Sequence, residues 1–278
     1  MPKAERGREH RFLIGLARAF GGAIFFSLPL LMTMEMWSLG FSMDRLRLAL
    51  FIAIFVPILM GLSHYAGFQE TDSWLEDAVD GVIAYFVGFV TSATVLWLFG
   101  LLHTGMPVRE AVGMVALQAV PASVGAAMAT GQLGPGGGDE NEEEHDRSTG
   151  YWSTLFLMLA GAIFFAFNVA PTEEMILIAF KMSLWHSVGL AVASVLMMHA
   201  FVYAVEFRGQ VARPLDSTVW SVFLRYTIVG YAIALLVSLY VLWTFGRLDH
   251  AGHVYALQST IVLAFPASLG ASAARLIF

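Results

Sequence analysis

The chain has 278 residues, of which 58% are hydrophobic and 13% charged, with a mean hydropathy of +0.71. That composition excludes a water-soluble globular domain and makes the bilayer the solvent. The formal net charge of −6 equals the number of carboxylates in one stretch (Asp139, Glu140, Glu142, Glu143, Glu144, Asp146), so acidity is local; the absence of cysteine excludes disulfide frameworks and thiolate metal sites.

A basic head, MPKAERGREHR, opens the chain, and residues 1–14 read as a cytoplasmic N-terminus. The apolar run behind it is long and lacks a small-residue cleavage site, so it reads as a retained first helix rather than a signal peptide. Spanning a bilayer takes about 20 mostly apolar residues per helix. Eight such stretches follow, with cores near 15–39, 46–66, 79–102, 109–131, 152–180, 183–206, 218–245 and 254–277. They are too long and too uniformly apolar for the alternating strands of a β-barrel.

The first run carries GGAIFFSLPLLMTMEM at 21–36, and the fifth returns it as AGAIFFAFNVAPTEEM at 160–175, 139 residues later. Further along, VLWLFG at 95–100 recurs as VLWTFG at 241–246, and PASVGA at 121–126 as PASLGA at 266–271. The halves therefore correspond helix for helix. Four helices in each copy send both into the membrane from the same side, which makes them parallel repeats. The expected fold is an all-α polytopic membrane protein of eight transmembrane helices, built as two parallel four-helix repeats at 15–131 and 151–278. Residues 132–150, rich in glycine and acid, read as a flexible linker without the calcium-binding spacing of an EF-hand.

Lys and Arg near the helix ends set the orientation. A cytoplasmic N-terminus puts Lys3, Arg6, Arg8, Arg11, Arg147, Arg208, Arg213 and Arg275 inside, against Arg45, Arg47, Arg109, Lys181 and Arg247 outside. The even helix number then returns the C-terminus to the cytoplasm.

The candidate ion- or proton-binding residues are Glu35, Glu173 and Glu174, with Thr33, Thr172 and Asn168 beside them. A continuous fifth helix would hold Glu174 about 10 Å from its outer end at Lys181, a depth at which a carboxylate must be neutralised, paired or wetted. Pro29 and Pro171 should disturb the two helices, and Pro171-Thr172-Glu173-Glu174 reads as a helix start with Thr172 as cap. Asn168 and Thr172 are placed to satisfy backbone groups at the break. The two acidic motifs could share one site between the halves, or serve as interhelical braces; the extra Glu173 favours function, because a second acid is hard to justify as packing.

His199, deep in the sixth helix, reads as a hydrogen-bonded core residue. Asp249, His250 and His253 cluster in the last outer loop without a fourth protein ligand, so no metal site is expected. Arg225 should snorkel to the cytoplasmic surface. The pairs Ala122/Ala126, Gly125/Ala129 and Gly270/Ala274 should let helices approach closely, where the fourth and eighth helices meet. Trp97, Trp243, Phe99 and Phe245 fit an outer aromatic belt.

On GGAIFFSLPLLMTMEMW and APTEEM, the chain resembles an uncharacterised family of bacterial integral membrane proteins, a domain of unknown function. The resemblance implies topology and a bacterial inner membrane, and no activity. Glu173-Glu174 lacks the following arginine of paired-glutamate membrane proteases, and neither H-E-x-x-H nor a G-x-S-x-G elbow is present, so no enzyme and no cofactor are expected. The expected function is a cation or proton channel or secondary transporter. The competing reading is a sensor or assembly protein acting through the acidic loop. The partners are the lipid bilayer and protons or inorganic cations; no nucleic acid is expected, and a homo-oligomer is compatible with the sequence but not indicated by it.

Overall fold

A computed structural model describes residues 3–66, 74–132, 151–204, 220 and 223–277. The acidic stretch 139–146, and with it all but the first residue of the expected linker, lies outside the described residues. The chain divides into two compact units, Met1–Asn141 and Glu142–Phe278. Among the described residues there are helices and turns and no strands.

Unit 1 consists of α1 (Lys3–Leu31), α2 (Met34–Ser42), α3 (Arg45–Ala66), α4 (Trp74–Leu98) and α5 (Val108–Gln132). Unit 2 consists of α6 (Tyr151–Val169), α7 (Glu173–Lys181), α8 (Leu184–Ala204), a π-helical turn (Phe223–Ile228) that runs into α9 (Val229–Thr244), and α10 (His253–Ile277). Among the described residues, eight segments are long and apolar enough to cross a membrane, four in each unit. The all-α polytopic expectation therefore holds.

The first and fifth spans depart from expectation. Hydropathy places single runs over 15–39 and 152–180, with disturbances expected at Pro29 and Pro171; Pro29 lies inside α1, the long helices end at Leu31 and Val169, and a nine-residue helix follows each. Both breaks close in the same way, and in unit 2 Pro171 also lacks the N–H that would continue the ladder. The Thr33 hydroxyl donates to the Leu30 carbonyl and the Thr172 hydroxyl to the Val169 carbonyl, at 2.8 Å each. Their backbone N–H groups bond the same carbonyls, at 3.2 and 3.1 Å. These three-residue closures tighten the last turn and stop the i→i−4 ladder. Thr33 and Thr172 are then extended (ψ 127° and 144°), and α2 and α7 restart at the next residue. Thr172 thus stands at the N-cap position, but its hydroxyl turns back to the preceding helix rather than capping α7.

In each unit the last helix is the hub. α5 packs against α1, α2, α3 and α4, and α10 against α6, α7, α8 and α9. Burial reflects this in unit 1, where 83% of the α5 span is buried against 28% of the α1 and α3 spans. Small residues make it possible, each within its own unit. Ala122, Ser123 and Ala126 are fully buried. Gly125 of α5 meets Gly22 of α1, and Gly270 of α10 meets Gly161 of α6, so closely that no side chain fits between the backbones.

VLWLFG and VLWTFG end α4 and α9 in the same way. Gly100 and Gly246 adopt φ of +74° and +70°. The Leu101 and Arg247 amides reach back to the Leu96 and Leu242 carbonyls, at 3.0 and 2.9 Å. This is the Schellman arrangement, which needs a left-handed residue. Gly246→Ala should therefore cost about 1 kcal/mol, read as a lower unfolding midpoint in denaturant titrations. Trp97 and Trp243 project outward as a belt requires, at 65% and 38% exposure, whereas Phe245 is buried and stacks on Phe167 at 6.2 Å.

Candidate functional site

The breaks α1–α2 and α6–α7 leave helix-end carbonyls without helical partners, which is costly near hydrocarbon. Side-chain donors from the same unit fill them. In unit 1 the Trp37 indole N–H donates to the Leu31 carbonyl at 2.7 Å, and the Gln118 amide to Leu30 at 3.4 Å. In unit 2 the Arg247 guanidinium donates to the Pro171 carbonyl, while the Asn168 amide bonds Phe164, one turn back inside α6, at 2.8 Å. Gln258 of α10 holds the far end of α7 through the Met182 carbonyl at 2.7 Å. Both short helices are thus tied to their own hub or to the turn before it.

The carboxylates begin these helices: Glu35 in the first turn of α2, Glu173 and Glu174 in the first turn of α7. Helix N-termini suit negative charge, because the dipole and free N–H groups point there. Glu35 is half-buried; Glu173 and Glu174 are exposed. All three lie on the short helices that follow the breaks rather than on the long apolar spans, and Glu174 and Lys181 share α7. No salt bridge within 4.0 Å engages any of them among the described residues.

Within unit 2, Glu173 and Glu174 line one open depression of about 620 Å³ with Ile176, Leu177, Phe180 and Tyr255. Two adjacent carboxylates and a phenol share this open hollow between α7 and the start of α10. Such a group attracts cations from water and concentrates them locally. Thr33, Thr172 and Asn168 shape the breaks through backbone carbonyls.

His199 bonds Thr227 through Nδ1 at 3.1 Å and meets the Phe223 ring edge-on at 5.0 Å, the core role expected of it. Arg225 is exposed on the π-helical turn. Among the described residues, no three His, Asp or Glu side chains gather into a group that could hold a metal ion, and Asp249, His250 and His253 all point to the surface.

A second polar cluster escapes sequence reasoning. At the end of unit 1 opposite α2, His64 Nδ1 lies 3.0 Å from Asp77 Oδ2, and the Ser63 hydroxyl donates to Asp80 at 3.2 Å. Trp74 stacks on the imidazole at 5.8 Å, nearly parallel. Asp77 is 1% exposed although it stands at the start of an apolar span. Acids three residues apart at the head of one span, with a histidine closing the previous one, were the available signal. In the register of VLWLFG and VLWTFG, Trp74, Asp77 and Asp80 correspond to Trp220, Phe223 and Tyr226, so the second unit has aromatics where the first has acids.

The model of the family described as "Putative integral membrane protein (DUF2391)" matches residues 15–278. Neither the curated proteins nor the solved structures gave a match.

Proposed function

Because the chain belongs to the integral membrane protein family DUF2391, and eight of its helices are fit to span a bilayer, we propose that it moves inorganic cations or protons across the membrane, without enzymatic chemistry. The observation that carries the reading is the pair Glu173 and Glu174, side by side in an open hollow with no salt-bridge partner among the described residues. In this reading the three glutamates form acidic entrances just beyond the apolar spans rather than a dehydrated site within them. Glu35 would serve unit 1, and Glu173 and Glu174 unit 2. Thr33, Thr172 and Asn168 position them by fixing the breaks.

We further infer that the units are duplicated copies running parallel in a bacterial inner membrane, with cytoplasmic termini. The equal spacing of 139 residues between Thr33 and Thr172 and between Leu30 and Val169 supports the duplication, as do the Schellman glycines Gly100 and Gly246.

The test is flux of protons, sodium and potassium into proteoliposomes, comparing native protein with Glu35→Gln and with Glu173→Gln/Glu174→Gln. Charges that concentrate cations act on entry rate, so the double variant should lose about tenfold at low ionic strength. The deficit should shrink as added salt screens the native charges. Native protein that moves none of these ions, or variants as fast as native at low salt, would sink the proposal. Deletion of 135–146 would then test the acidic loop as a partner-binding element.

A further inference from the structure

At the end of unit 2 where α6 begins and α10 finishes, the Arg275 guanidinium, two tyrosine side chains and the Arg225 backbone form one connected group. The Arg275 guanidinium lies 3.9 Å from the centre of the Tyr226 ring. That ring meets Tyr151 edge-on at 5.6 Å. The Tyr151 hydroxyl in turn donates to the Arg225 carbonyl at 3.2 Å. Arg225 sits in the π-helical turn Phe223–Ile228, a rare backbone form that is frequent at functional sites. Its own side chain is exposed. The described residues of this end (151–156, 196–204, 223–228 and 270–277) contain no carboxylate.

Three apolar spans, Tyr151–Val169, Phe223–Thr244 and His253–Arg275, have an end here, which puts the group at the boundary between hydrocarbon and water. Trp152 and Trp220 flank it at 72% and 71% exposure, as expected of residues at headgroup level. Leu224 and Ile228 are also exposed beside Arg225, offering apolar contact on the hydrocarbon side.

We propose that Arg225 and Arg275, with the Tyr151–Tyr226 pair, form a binding site for the phosphate headgroup of an anionic phospholipid. Guanidinium groups match phosphate oxygens through paired N–H donors. Basic groups between helix ends at the membrane surface favour anionic over zwitterionic lipid. Tyr226 holds Arg275 in place through its ring face, while the tie from Tyr151 to the π-helical turn places Arg225. The exposed leucine and isoleucine select a ligand with acyl chains over a free anion. Unit 1 could not offer the same site, since Val79 and Asp80 correspond to Arg225 and Tyr226 in the VLW register.

The full chain, purified in detergent, would be offered equal amounts of phosphatidylglycerol and phosphatidylcholine, and the retained lipid counted by native mass spectrometry. Native protein should retain phosphatidylglycerol preferentially, and Arg225→Gln and Arg275→Gln should each cut that preference about fivefold or more. Arg275 packs on Tyr226, so its loss could disturb folding; Arg225→Gln removes only an exposed side chain and decides the matter in that event. Equal retention of the two lipids by native protein, or a native preference in a folded Arg225→Gln variant, overturns the assignment. Excess inorganic phosphate distinguishes the sources: displacement of the lipid by phosphate alone would mark a soluble anion as the ligand and overturn the lipid site.

Discussion

Gly161→Ala is expected to destabilise unit 2 severely, although alanine is the better helix former. In an open helix the exchange is favourable by about 0.8–1 kcal/mol. At Gly161, however, an added Cβ would fall inside contact distance of the Gly270 carbonyl oxygen and 2.6 Å from the Ala274 Cβ. These neighbours belong to the hub helix and cannot rotate away, so α6 and α10 would have to separate. Overpacking of this kind typically costs about 1–3 kcal/mol, and here it should outweigh the propensity gain. Gly22→Ala should behave likewise, with its Cβ 2.5 Å from the Gly125 carbonyl oxygen. Gly189→Ala is the control, because nothing lies within 4 Å of its Cβ. Unfolding in detergent should therefore shift down for Gly161→Ala and Gly22→Ala and upward or not at all for Gly189→Ala. Three shifts of the same sign would mean that the close approaches do not govern stability.

The second large effect is expected at His64 and Asp77. Asp77 is buried, and its Oδ2 faces His64 Nδ1 at 3.0 Å, while the imidazole itself is 41% exposed. Removing the histidine leaves a buried carboxylate short of one donor, a loss worth about 1–3 kcal/mol. The exposed ring argues for the lower part of that range. A double-mutant cycle with His64→Ala and Asp77→Ala isolates the pair. We expect a coupling of about 1 kcal/mol; strictly additive losses would show that α3 and α4 are held together by other contacts at this end.

The parts of the fold legible in the sequence were those written in hydropathy and repetition. Eight apolar stretches and the small-residue pairs of PASVGA and PASLGA pointed to spans and close helix crossings, and the spans and crossings are there, with Gly125 meeting α1 and Gly270 meeting α6. The breaks after Leu31 and Val169 were only half legible. Proline marks the second break, where Pro171 lacks a donor, but Pro29 lies within α1, and what the two breaks share is a threonine hydroxyl bonding backward. The spacing of Glu174 from Lys181 holds, since both lie on α7, but the helix that carries them is short and separate rather than the end of one long span. The His64–Asp77 pair was illegible for a different cause: its partners are thirteen residues apart on separate helices, and only packing brings them together. Phe245 was misassigned because a belt aromatic and a core aromatic look alike until the turn after Gly246 is known.

The position of the hub in each unit bears on how the protein is made. A ribosome delivers α5 after α1 to α4, and α10 after α6 to α9, so the helix against which all the others pack is in each case the last of its unit to leave the exit tunnel. Until then the glycine faces of α1 and α6 have no partner and only lipid to touch. Insertion should therefore proceed in two batches, each loose until its final span arrives. A chain stalled before residue 108 would carry three of the four spans of unit 1 and no means of closing them, which makes it a natural target for membrane quality-control proteases.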